Sequence, residues 1–77
     1  VLSDLNRKEE ALESYDQAIE LRPDHKINWQ LRAFLLADLK HYEKALVSYD
    51  KAIELEPNDG FIWYSRGWML FQLGQYN

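Results

Sequence analysis

The sequence predicts an all-α fold in which antiparallel helices stack side by side as a solenoid. Three observations carry that expectation. The first is self-similarity. The segment Ala11-Leu12-Glu13-Ser14-Tyr15-Asp16-Gln17-Ala18-Ile19-Glu20-Leu21-Arg22-Pro23 recurs as Ala45-Leu46-Val47-Ser48-Tyr49-Asp50-Lys51-Ala52-Ile53-Glu54-Leu55-Glu56-Pro57, with ten of thirteen positions identical at an offset of 34 residues. The same offset links Leu2, Leu36 and Leu70; Leu5, Leu39 and Leu73; Trp29 and Trp63; Arg32 and Arg66; and Tyr42 and Tyr76. The second observation is spacing. Trp29, Ala33 and Leu36 stand four and three residues apart, as do Ala45, Tyr49 and Ala52, so each set shares one face of a helix. The third is punctuation: Pro23 and Pro57 lack the amide that would continue a helix.

The elements follow in order. A helical stub over 1–5 leads to a helix near 9–21, which stops before Pro23. Asp24 is expected to cap a helix near 26–39, because a short oxygen-bearing side chain satisfies the free amides of a first turn. Lys40-His41 marks a tight turn into a helix near 43–55. Pro57 ends that helix, and Asn58-Asp59 caps a last one near 60–73, after which Gly74-Gln75 repeats the turn. Alternating small and large residues let neighbouring helices approach and interlock. Stacked in this way they form a superhelix with a concave inner face.

A period of 34 residues is that of a helix-turn-helix repeat, and the chain resembles the tetratricopeptide repeat family along its whole length. Trp63, Gly67 and Leu70 match the Trp, Gly and large residue of that family's first helix, as Trp29, Ala33 and Leu36 do one repeat earlier. Ala45, Tyr49, Ala52 and Pro57 match the second helix, as do Ala11, Tyr15, Ala18 and Pro23. Arg32 and Arg66 depart from the family, which usually carries Leu there. The resemblance implies one domain over 1–77 forming a right-handed superhelix: a partial first repeat (1–25), a complete repeat (26–59) and the first helix of a third (60–77). The chain has no initiator Met and neither end resembles a polar cap, so a piece of a longer array is expected.

Composition excludes several classes of function. Nearly half of the residues are apolar (47%), which argues against a disordered tail. No apolar run reaches the length of a membrane span, and the N-terminus has no signal-peptide pattern. Cysteine is absent, so disulfides, thiol catalysis and cysteine-based metal sites are excluded. These features together point to the cytoplasm. The net charge is −4 and the basic residues are scattered, which disfavours nucleic-acid binding, since that needs clustered Lys and Arg.

No catalysis is expected, and no cofactor or metal site. His25 and His41 lie in separate turns without paired ligand spacing. No histidine base can be placed beside Ser3, Ser14, Ser48 or Ser65. Gly60, Gly67 and Gly74 form no phosphate-cradling loop, and Glu20 and Glu54 are too far apart in the repeat to share a site. The acidic helix 9–21 (Glu9, Glu10, Glu13, Asp16, Glu20) reads as a solvated outer face rather than a dock for a basic partner. Arg32 and Arg66 could face an acidic ligand. The reading favoured for them is an inter-helix ion pair with Asp16, Glu20, Asp50 or Glu54.

The family lines its inner face mainly with first helices. The resemblance therefore points to Ile27, Gln30, Leu31, Phe34, Ala37 and Asp38, and one repeat later to Phe61, Tyr64, Ser65, Trp68, Phe71 and Gln72. Helical spacing alone shows that Phe61, Tyr64, Trp68 and Phe71 form a second apolar stripe, apart from the Trp63–Gly67–Leu70 packing face. Ile62 and Met69 add to it, so the helix near 60–73 is apolar on both sides. Neighbouring helices, a bound segment or a second copy of the chain could cover that surface. The family's clamp for a C-terminal carboxylate needs a Lys beside the Trp position and an Asn further along; Gln30 with Phe34, and Tyr64 with Trp68, stand there instead. The expected activity is that of a scaffold binding a protein or peptide, of apolar or aromatic-rich character, on the concave face. The alternatives are a structural spacer or self-associating segment of a larger array (a homo-oligomer through uncapped end helices), or a regulatory region attached to an enzyme.

Overall fold

The computed structural model describes residues 4–76. Four α-helices follow one another: α1 (Asp4–Leu21), α2 (Lys26–Asp38), α3 (Tyr42–Leu55) and α4 (Gly60–Tyr76). No strand occurs among the described residues. Each helix packs on its chain neighbours, α2 on α3 most extensively.

The prolines set the longer turns. A residue preceding proline is pushed out of the helical region, and Glu56, before Pro57, is extended at φ −147°, ψ 87°. Helix α3 accordingly ends at Leu55, and α1 ends at Leu21, two residues before Pro23. The short α2–α3 turn closes differently. The His41 amide donates to the Leu36 carbonyl at 2.8 Å and the Lys40 amide to Ala37 at 2.9 Å. These paired bonds satisfy carbonyls that the helix end leaves open. They place Lys40 at φ 67°, in the left-handed region.

Small residues on facing helices make the core. Ala33 and Leu36 of α2, Ala45, Ser48, Tyr49 and Ala52 of α3, and Ile62 and Met69 of α4 are buried. Leu12, Trp29, Ala37, Tyr42, Leu46 and Ile53 pack around them. An alanine at 33, 45 and 52 leaves room for the helix axes to come close, and Leu36 and Tyr49 fill the space between.

Four expectations change. The stub over 1–5 lies partly outside the described residues, and from Asp4 onward it is one helix with α1. The turn at Gly74-Gln75 does not form; α4 continues through it to Tyr76. Asn6 and Gly74 are the repeat equivalents of Lys40, yet of these three positions the chain turns back only at Lys40. Asp24 does not cap α2, because the helix begins at Lys26 and its N-cap position is His25, which makes no side-chain capping bond. On α4 the Trp63–Gly67–Leu70 stripe is not the buried face. Ile62 and Met69 are buried against α3, whereas Trp63 and Leu70 remain 48% and 46% exposed. The physical reason is which helix lies alongside. Trp29, Ala33 and Leu36 are covered by α3, the helix that follows α2, whereas α4 packs only backward.

A lysine in the left-handed region costs about 1 kcal/mol relative to glycine. Lys40→Gly is therefore expected to raise stability by about that amount, a rise of about 4–8 °C in Tm for a domain of this size. A thermal melt followed by circular dichroism checks this, and an unchanged or lower Tm counts against the turn geometry.

Candidate functional site

The inter-repeat turns fix where each first helix sits. The indole Nε1 of Trp29 donates to the Pro23 carbonyl at 2.9 Å, and that of Trp63 donates to Pro57 at 2.8 Å. Each tryptophan thus ties its helix to the proline that ended the helix before. The α3–α4 turn has a second anchor in Asp59. One of its carboxylate oxygens accepts the Phe61 amide at 3.0 Å, capping α4 as expected for this residue. The other accepts Lys26 Nζ at 2.7 Å, and Lys26 also reaches Glu56 at 3.2 Å. The start of α2 is thereby joined to the start of α4. The hydrogen bond to Asp59, followed by that to Glu56, holds the Lys26 pKa above its ordinary value. The bond from Lys26 holds the Asp59 carboxyl below its own.

The repeated arginines fix the helices laterally. Arg32 Nε meets Asp16 Oδ1 at 2.5 Å, and Arg66 Nε meets Asp50 Oδ1 at 2.5 Å. These are the inter-helix ion pairs expected from the sequence. Arg32 additionally donates from Nη1 to Ser48 Oγ at 2.6 Å, and so bridges α1, α2 and α3. The Arg66 guanidinium lies 5.9 Å from the Trp63 ring centroid. Of the acidic residues of α1, Glu9, Glu10, Glu13 and Glu20 are exposed.

With the helices so placed, a groove of about 530 Å³ opens between α2 and α4. Phe34, Ala37 and Asp38 form one wall, and Phe61, Tyr64, Ser65, Trp68 and Gln72 the other. The geometry therefore brings eight of the site residues read from the sequence (Phe34, Ala37, Asp38, Phe61, Tyr64, Ser65, Trp68, Gln72) into one groove. Ile27, Gln30 and Leu31 do not line it; they lie on the N-terminal half of α2. Phe71 also lies outside, but its ring stacks on Trp68 at a centroid distance of 5.9 Å and 29° between planes.

Sequence reasoning missed the floor. Tyr42, Tyr49, Lys40 and Met69 line the groove as well. The repeat spacing marks Tyr49 only as a packing residue, yet its side chain hydrogen-bonds Ser65, and burial pushes its phenol pKa up against that bond. A tyrosine in a second helix facing a serine of the next first helix was the available signal. The rim is apolar and wet: Phe34, Phe61, Tyr64 and Trp68 are each more than half exposed. At one end Asp38 pairs with Lys8 Nζ at 2.9 Å. The described residues hold no cluster of three or more His, Cys, Asp or Glu side chains that could bind a metal ion.

The helix pattern, the indole–proline bonds and the Arg–Asp pairs recur in step with the 34-residue period. Models of the tetratricopeptide repeat match residues 1–25, 29–59 and 48–77. The chain belongs to the tetratricopeptide repeat family. Such repeats are protein–protein interaction motifs built on a non-catalytic scaffold. No curated protein matches the chain in sequence. No helix among the described residues is long and apolar enough to cross a membrane.

The Lys26–Asp59 pair makes a pH prediction. Asp59 has its pKa lowered on folding, so its contribution to stability is complete above the ordinary carboxylate range and is lost as pH falls through the folded value. Lys26 has its pKa raised, so its part is complete below the ordinary lysine value and is lost only at more alkaline pH. Asp59→Asn keeps a capping oxygen but removes the charge. Urea midpoints measured from neutral to acid pH are expected to fall less steeply for Asp59→Asn than for the parent chain. Parallel curves count against the pair.

Proposed function

We propose that the groove between α2 and α4 binds an apolar or aromatic-rich segment of a partner protein. The observation that carries this reading is the set of exposed aromatic side chains, Phe34, Phe61, Tyr64 and Trp68, around one groove. Rings on a helical scaffold offer large contact area with little conformational freedom to lose on binding. The groove has a polar minority suited to orienting a ligand: Ser65, Gln72 and Asp38 on its walls. The positions beside the tryptophans carry Gln30 and Tyr64 rather than a lysine, which disfavours a carboxylate clamp. An amphipathic helix laid along the groove fits this chemistry, with apolar side chains spaced to meet both walls. The partition into a partial repeat over 1–25, a complete repeat over 26–59 and a third first helix over 60–77 is part of the same proposal, because it makes α2 and α4 successive first helices facing one concave surface.

Trp68 and the Phe71 ring stacked on it form the broadest aromatic surface at the groove. Trp68→Ala with Phe71→Ala is expected to weaken capture of the bound partner by about thirtyfold or more, the effect of losing about 2 kcal/mol at an aromatic hot spot. Both side chains are exposed, so far-ultraviolet circular dichroism should stay near that of the parent. Binding at full strength with unchanged helicity counts against the groove.

A further inference from the structure

The groove between α2 and α4 has two unlike ends. Where α4 begins, Phe61 stands beside a turn whose charges are spent on one another, Lys26 holding both Glu56 and Asp59. At the opposite end the walls carry Asp38 and Gln72, and the chain leaves α2 through Lys40. Among the described residues lining the groove, Asp38 and Lys40 are the charged ones. Asp38 is paired with Lys8 Nζ at 2.9 Å. Lys40 is exposed, and its side chain makes no hydrogen bond or ion pair with a described residue. Beyond it Glu43 and Lys44, of opposite sign, line a neighbouring hollow and leave the balance unchanged. The groove therefore ends on one uncompensated positive charge, in a chain of net charge −4.

The backbone singles out the same residue. Lys40 lies at φ 67°, a region that is costly for an L side chain and free of cost for glycine. Its repeat equivalent, 34 residues on, is Gly74. A lysine thus stands where the turn alone favours glycine, and its side chain forms no bond that holds the fold together. Strained positions of this kind cluster at sites of function.

We propose that the segment held in the groove carries an acidic side chain, Asp or Glu, at the end that meets Lys40, and so binds in one direction only. This rests on the reading of the groove as a partner site. Aromatic walls hold an apolar segment equally well in either direction, whereas a single charge at one end distinguishes the two. A carboxylate beside Lys40 gains a charge-assisted contact, and a lysine or arginine there meets a like charge. The contact belongs to the α2–α3 turn, not to the positions beside the tryptophans.

The test is a display library of short random peptides, selected on the parent chain and on three variants and read by sequencing. On the parent, aromatic residues are expected to be enriched, with Asp or Glu enriched about two- to fivefold on one side of them, the effect of one partly exposed ion pair. Lys40→Gly is expected to keep the aromatic preference and lose the acidic one, while melting no lower than the parent. Lys40→Glu is expected to replace the acidic residue by Lys or Arg on the same side. The chain with both Trp68→Ala and Phe71→Ala is expected to select nothing. Aromatic sequences without an acidic bias overturn this proposal and leave the groove standing. So does a bias spread equally over both sides, or one that survives Lys40→Gly. A parent chain that selects no aromatic sequence overturns the groove as a partner site and this proposal with it.

Discussion

The Arg32 guanidinium is the constraint on which the rest of the structure depends. It holds Asp16 of α1 through Nε and Ser48 of α3 through Nη1, so one rigid planar group fixes three helices. Ser48 is completely buried, and its hydroxyl meets Arg32 within the helix interface. A buried hydroxyl left without a partner costs about 1–3 kcal/mol, so this bond offsets the burial of Ser48 between α3 and α2. The close approach in turn lets Ala33, Ala45 and Ala52 touch neighbouring helices and leaves Leu36 and Tyr49 to fill the core. A leucine, usual in this family at this position, would supply apolar area but no directional hold on α1.

The same geometry explains why α4 has two free faces. Its buried side chains, Ile62 and Met69, look back toward α3. Its exposed apolar side chains form two further sets: the aromatic stripe at the groove, and Trp63 and Leu70 on another side of the helix. A soluble helix ordinarily turns one apolar stripe inward. α4 turns one inward and leaves two more exposed.

Much of this was legible in the sequence. The 34-residue offset located α2 and α3 to within about a residue at each end, and the two aspartates that hold the arginines stand among the four carboxylates the sequence offered for them. A repeat that reappears intact carries its contacts with it, so Arg32–Asp16 implies Arg66–Asp50. The groove walls were legible for a similar reason, since Phe61, Tyr64 and Trp68 fall on one side of a helix by spacing alone. What escaped is of another kind. Periodicity shows that a stripe exists but not which neighbour covers it, so Trp63–Gly67–Leu70 was read as buried and Ile62 and Met69 were not singled out. The left-handed Lys40 escaped because lysine has no preference for that region; the paired bonds from Lys40 and His41 back into α2 impose it. The cap on α2 was misplaced by one residue, because Asp24 and His25 differ in chemistry while the start of the helix is set by packing.

The central claim is that Arg32 organises the stack whereas its repeat equivalent, Arg66, makes only an edge contact. The most direct measurement is the unfolding free energy of Arg32→Ala and Arg66→Ala compared side by side by urea denaturation. Arg32→Ala is expected to cost about 2–3 kcal/mol, because it strands the buried Ser48 hydroxyl and releases α1. Arg66→Ala is expected to cost about 1 kcal/mol or less, as befits a partly exposed pair. Equal losses, or a larger loss for Arg66→Ala, would contradict the account.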